Sequence, residues 1–144
     1  MVEDAGTVYV GDYANGRIYK LDQDTFADNE DDGIRRTFTT GMVYDQDERR
    51  ILFHHALELD IDRGEADATG QGSDPMIMMC YSDDSGHTWS HELWESIGKI
   101  GEYKARVKWE QLGESRNRVY KFYFTDPVKC EVVAAHIVVT RGNH

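Results

Sequence analysis

Apolar and polar positions alternate along much of the chain, and the alternation predicts strands. In ILFHHALELDID, Ile51, Phe53, His55, Leu57, Leu59 and Ile61 fall on one side, and Leu52, His54, Ala56, Glu58, Asp60 and Asp62 on the other. A period of two over that length predicts one long strand with one buried face. TVYVGDYANGRIYKLD predicts a hairpin about Asn15-Gly16, whose backbone tolerates a tight turn. Val8 and Val10 are expected on one face, with Ile18 across the turn.

IRRTFTT reads as a short strand, and PMIMMCYS as a central one, apolar on both faces. HELWESIGKIGEY fits a strand or a short helix. YKARVKWEQLG turns Tyr103, Ala105, Val107 and Trp109 inward, and VYKFYFTD does the same with Tyr120, Phe122 and Phe124. EVVAAHIVVT is apolar at nearly every position, which predicts a strand covered on both faces. ADNEDDG and RGEADATGQGSD read as loops. The sum is about nine strands with turns between them, an all-β chain built as an antiparallel β-sandwich or as propeller-like sheets. The expected organisation is a single domain over 1–144, with an N-terminal hairpin region (1–26) and a main sandwich region (45–144).

Composition narrows the function classes. The 144 residues hold 27 acidic and 16 basic side chains, a formal net charge of −11. Such a surface repels nucleic-acid phosphates, so no sequence-specific nucleic-acid partner is expected. No apolar run reaches the roughly 20 residues of a membrane helix, and the N-terminus lacks the pattern of a signal peptide. Cys80 and Cys130 are expected as buried free thiols.

The segment SDDSGHTWS concentrates the polar chemistry. Ser82, Asp84, Gly86, Thr88 and Trp89 fit Ser-x-Asp-x-Gly-x-Thr-Trp, and the stretch resembles an Asp-box, the hairpin motif of sialidases and several other β-rich folds. Gly86 permits a positive φ, Asp84 can accept hydrogen bonds from turn amides, and Trp89 is expected to leave the turn and cap the core. In families with this motif the box lies away from the catalytic centre, so the resemblance implies a structural element. Other chemistry finds no support. Cys80, His87 and His91 lack metal-site spacing, and ADNEDDG departs from the EF-hand order, so no metal and no cofactor are expected. Ser73 in GQGSD has no nucleophile elbow around it, and no phosphate-binding Gly-Lys loop occurs. His55, on the apolar face of its strand, is expected as a hydrogen-bonded core histidine. No catalytic residue is assigned, and no enzyme is expected.

A longer pattern carries more. GDYANGRIYKLD, FHHALELDIDRG, GSDPMIMMCYSDDSGHTWS and WESIGKIGEYKARVKWEQLGESRNRVYKFYFTDPVK follow in order. Together they resemble the C-terminal part of the packaged-DNA stabilisation, or tail-hub, proteins of short-tailed bacteriophages. RNRVYKFYFTDPVK, with Trp109 and Leu112-Gly113 before it, is the most specific piece, and the resemblance runs from about Val8 to Val139. It implies a structural component of the tail hub that connects to the portal and helps retain packaged DNA. It also implies phage tail and portal subunits as partners, a homo-oligomeric ring, and assembly in the host cytoplasm into the virion tail. The alternative from a different class is a carbohydrate-binding or sialidase-like Asp-box module. Exposed coplanar rings would favour the sugar binder; burial of Trp89, Trp94 and Trp109 would favour the hub.

Overall fold

Strict alternation organises the centre of the molecule. In NRVYKFYF every second side chain, Arg118, Tyr120, Phe122 and Phe124, is buried, while those between are half-buried. A strand turns successive side chains to opposite faces, so one face is sealed against a core. The computed structural model describes residues 2–143 except positions 5, 23, 29–31, 48, 64–72 and 99–103. The described residues form strands and turns, with no helix that could cross a membrane.

In chain order the strands are β1 (Val2–Asp4), β2 (Thr7–Gly11), β3 (Ile18–Leu21), β4 (Ala27–Asp28), β5 (Asp32–Gly33), β6 (Arg36–Thr39) and β7 (Val43–Tyr44). Then come β8 (Leu52–Arg63), β9 (Met76–Ser82), β10 (Leu93–Ser96), β11 (Lys104–Glu110), β12 (Glu114–Ser115), β13 (Asn117–Phe124) and β14 (Cys130–Arg141). These fourteen segments exceed the nine or so read from the sequence, and four of them are two-residue stubs. HELWESIGKIGEY resolves as a strand at β10; its residues 99–103 lie outside the described ones.

Two antiparallel sheets make a β-sandwich. One runs β10-β9-β13-β6, with β7 also on β13. The other centres on β8, which pairs with β14 along one edge and with β11 and then β12 along the other. β6, at residues 36–39, belongs to the first sheet, ahead of position 45. Between the sheets, Leu57, Leu59 and Ile61 of β8 and Val107 and Trp109 of β11 meet Ile77, Met79, Tyr120, Phe122 and Phe124. Trp109 Nε1 donates to the Leu93 carbonyl at 3.2 Å, tying β11 to β10.

The long strand β8 departs from the simple alternation. Leu52, His54 and Ala56 are buried and Phe53 and His55 exposed, after which Leu57, Leu59 and Ile61 are buried. The register explains the switch: Val138 faces Ala56 but Val139 faces His54, leaving His55 as an extra residue on β8. A β-bulge reverses which parity faces the core. The histidine expected in the core at His55 is therefore His54, 2% exposed, while His55 is exposed and hydrogen-bonds Thr140 Oγ1 at 2.8 Å.

β14 corrects a second expectation. Its apolar run is not covered on both faces: Val133 is 69% and Val138 50% exposed. Among the described residues β14 pairs only with β8, so it is an edge strand. At the other end of the chain β1, β2 and β3 form a separate meander. Its hairpin forms, but residues 12–17 make a longer loop than a two-residue turn, with Asp12 N–H donating to the Arg17 carbonyl at 2.8 Å. Val8 and Val10 face Leu21 and Tyr19; Ile18 pairs with Gly11 and is exposed, not set across from the valines. ADNEDDG closes as the β4–β5 hairpin, with positions 29–31 outside the described residues. Gly33 there is needed for close approach, because a Cβ would collide with the Thr125 carbonyl.

Candidate functional site

The turn between β9 and β10 is assembled by short-range hydrogen bonds. Ser82 Oγ donates to Asp84 Oδ1 at 2.7 Å and accepts from the Gly86 N–H at 2.8 Å. Asp84 Oδ1 also accepts from the Thr88 N–H at 2.8 Å, and Asp84 Oδ2 from the Thr88 hydroxyl at 2.6 Å. Every one of these contacts spans four residues or fewer. The Thr88 hydroxyl and amide, followed by Ser82, hold the Asp84 carboxyl far below the usual carboxylate range. Ser85 and Gly86 both have positive φ, 62° and 95°. The five residues singled out, Ser82, Asp84, Gly86, Thr88 and Trp89, thus stand together in one turn.

Trp89 behaves differently from its expected role. It is half-buried and outside the inter-sheet cluster. Its ring lies beneath the Lys121 ammonium at 3.5 Å, a cation–π contact. Lys121 alternates with the buried Tyr120 and Phe122, so Trp89 covers the outside of the sheet and does not cap the core. The three tryptophans divide: Trp109 is 3% exposed, Trp89 is half-buried and Trp94 is 54% exposed. Burial of all three, expected for a hub segment, fails at Trp94. The sugar-binding alternative asks for two exposed coplanar rings, and Trp89 is masked by Lys121.

Directly behind the turn lies a buried polar network. Arg118 is 2% exposed and forms a bidentate pair with Asp83, at 2.6 and 2.7 Å. It also donates to the Leu112 carbonyl, and to the Glu114 carbonyl at 3.3 Å, and stacks on Tyr81 at 4.1 Å. Next to it, Tyr120 OH meets His54 Nδ1 at 2.8 Å and His54 Nε2 meets Ser115 Oγ at 2.8 Å. Burial pushes the Tyr120 phenol up to about 12, so it stays protonated. Burial first, then the Arg118 charge, lowers His54 to about 4, so its ring is neutral near pH 7. A surface depression of about 440 Å³ beside it is lined by Phe53, His54, His55, Gln111, Gly113 and Glu114. Both His54 ring nitrogens are already engaged, so this histidine presents no free base to the depression. The network escaped the sequence reading. Its signal was parity: Arg118 shares the phase of Tyr120, Phe122 and Phe124 and so must face inward.

The remaining candidates do not converge. Cys80 is buried in β9, Cys130 is half-buried, and both are free thiols; burial raises Cys130 to about 11. His87 and His91 are exposed. Among the described residues no group of three or more His, Cys, Asp or Glu side chains could hold a metal ion. Asp74, beside Ser73, accepts from the Ser96 hydroxyl at 2.8 Å.

Comparison with known families now identifies the fold. The family model described as "Bacteriophage P22 Gp10, beta-sandwich" matches residues 35–140, which span β6 through nearly all of β14. The chain belongs to this phage β-sandwich family. No curated protein matches it.

Proposed function

We propose that this member of the phage Gp10 β-sandwich family is a structural component of a short-tailed phage tail hub, one that connects to the portal and helps retain packaged DNA. The family match over residues 35–140 carries the reading. The tail-hub resemblance, which runs from about Val8 to Val139, supplies the finer role. Its partners are other tail and portal subunits, its location is the virion tail, and identical subunits close into a ring. A surface charge of −11 suits that position, because a wall that repels phosphate lets DNA pass without sticking.

The turn from Ser82 to Trp89 is a fold element in this reading, and the protein is not an enzyme. The support is local: the polar atoms of Asp84, Ser82 and Thr88 are spent on one another and on turn amides. Imaging of tails tests the role. Tails that lack this β-sandwich, residues 35–140, should fail to assemble or should leak their genome. Tails that assemble and hold DNA normally without it would refute the proposal.

A further inference from the structure

The open side of the sandwich, between β6 and β14, is unfinished. Each strand pairs on one side only among the described residues, β6 with β13 and β14 with β8. β14 is twelve residues long, and between Glu131 and Arg141 it carries no lysine or proline. Soluble proteins usually blunt such edges with charge, proline or a cover. Its unpaired N–H and C=O groups can be satisfied in register by one kind of partner, another extended polypeptide.

The side chains narrow the partner further. A small cavity of about 60 Å³ at this opening is lined by Arg36, Phe38, Phe122, Phe124, Cys130 and Val132 among others. Phe38 and Val132 are each 37% exposed there. Opposite the fully buried Leu59, Ala135 faces the same side yet is exposed, with no cover from the described residues. Arg36 lies against Phe124 at 4.3 Å and gives Nη2 to the Asp126 and Val128 carbonyls, while its buried Nε has no hydrogen-bond partner among the described residues. A guanidinium with a spare donor in an apolar groove favours a carboxylate.

We propose that the β14 edge accepts a strand from a different protein chain, apolar at alternate positions and carrying an acidic side chain opposite Arg36. A second copy of this chain fits less well, since its own open strands, β6 and residues 132–140 of β14, carry no acidic side chain to set opposite Arg36. The inference needs only the edge and the groove, and stands or falls separately from the hub reading.

The probe is a synthetic peptide of about ten residues, a common strand length, alternating valine and threonine with one glutamate near its end. A matched peptide carries glutamine instead. Amide exchange followed by NMR reads the site. With the glutamate peptide, β14 amides should exchange at least about tenfold more slowly, and the glutamine peptide should bind about tenfold more weakly. Ala135→Arg should abolish the protection while leaving the melting temperature unchanged. If circular dichroism shows that variant unfolded, Val138→Lys on the same edge takes its place and should also abolish protection. Equal binding of the two peptides, protection confined to β10 or β3, or no protection at about 1 mM peptide would overturn the proposal. Protection of β14 in the protein alone that grows with its concentration would overturn the assignment to a foreign chain.

Discussion

Acid should destabilise this protein through His54 before it touches the turn carboxylate. His54 is 2% exposed and its pKa is lowered from 6.5 to about 4. Burial is the largest cause; Arg118 and His55 add to it and Asp83 opposes it. In the unfolded chain the ring takes its proton near pH 6.5. In the folded protein it resists until about pH 4. The unfolded state therefore binds more protons between these values, and stability falls as pH falls. The contribution is complete above about pH 6.5 and is lost on acidification through that window towards pH 4. At about 1.4 kcal/mol per pH unit, a gap of about 2.5 units is worth about 3 kcal/mol. Urea unfolding at steps from about pH 8 to about pH 4 measures it directly. His54→Gln should be less stable at the upper end yet nearly flat across the window. A parent curve without this slope, or a His54→Gln curve with the same slope, would refute the argument. So would an NMR titration placing the His54 ring near its ordinary value.

Other outcomes follow from packing. Trp109→Ala removes a buried indole and should cost about 3–5 kcal/mol, whereas Trp89→Ala, half-buried under Lys121, should cost about 1–2 kcal/mol; equal costs in chemical denaturation would contradict the placement of Trp89 outside the core. Gly86→Val forces a β-branched residue to a φ of 95°, and should cost about 2 kcal/mol; unchanged melting would show that the turn is not strained there. Arg118→Met strips donors from the Leu112 and Glu114 carbonyls and should cost about 3 kcal/mol, against little effect from Arg106→Met, whose side chain is exposed and pairs with the half-buried Glu58 and Asp60 at 3.7 and 3.2 Å.

What the sequence determined by itself was local or periodic. The Ser82–Trp89 turn was legible because its hydrogen bonds join residues at most four apart, so their spacing already encodes the ring. The inward faces of β11 and β13 were legible because an unbroken period of two maps directly onto a pleated strand: Val107, Trp109, Tyr120, Phe122 and Phe124 are all buried. The tertiary structure decided the rest. Nothing near His54 or His55 announces the bulge between them, since it exists only as a mismatch of register with β14, more than 80 residues away. That mismatch chose which histidine enters the core. The apolar composition of β14 called for cover, but cover depends on what packs beside a strand. β6, across the opening, is four residues long against twelve in β14, and among the described residues β14 pairs with β8 alone, so its other edge stays open. Burial is a property of neighbours brought together by folding, and a period along one segment carries no information about how far its neighbour extends.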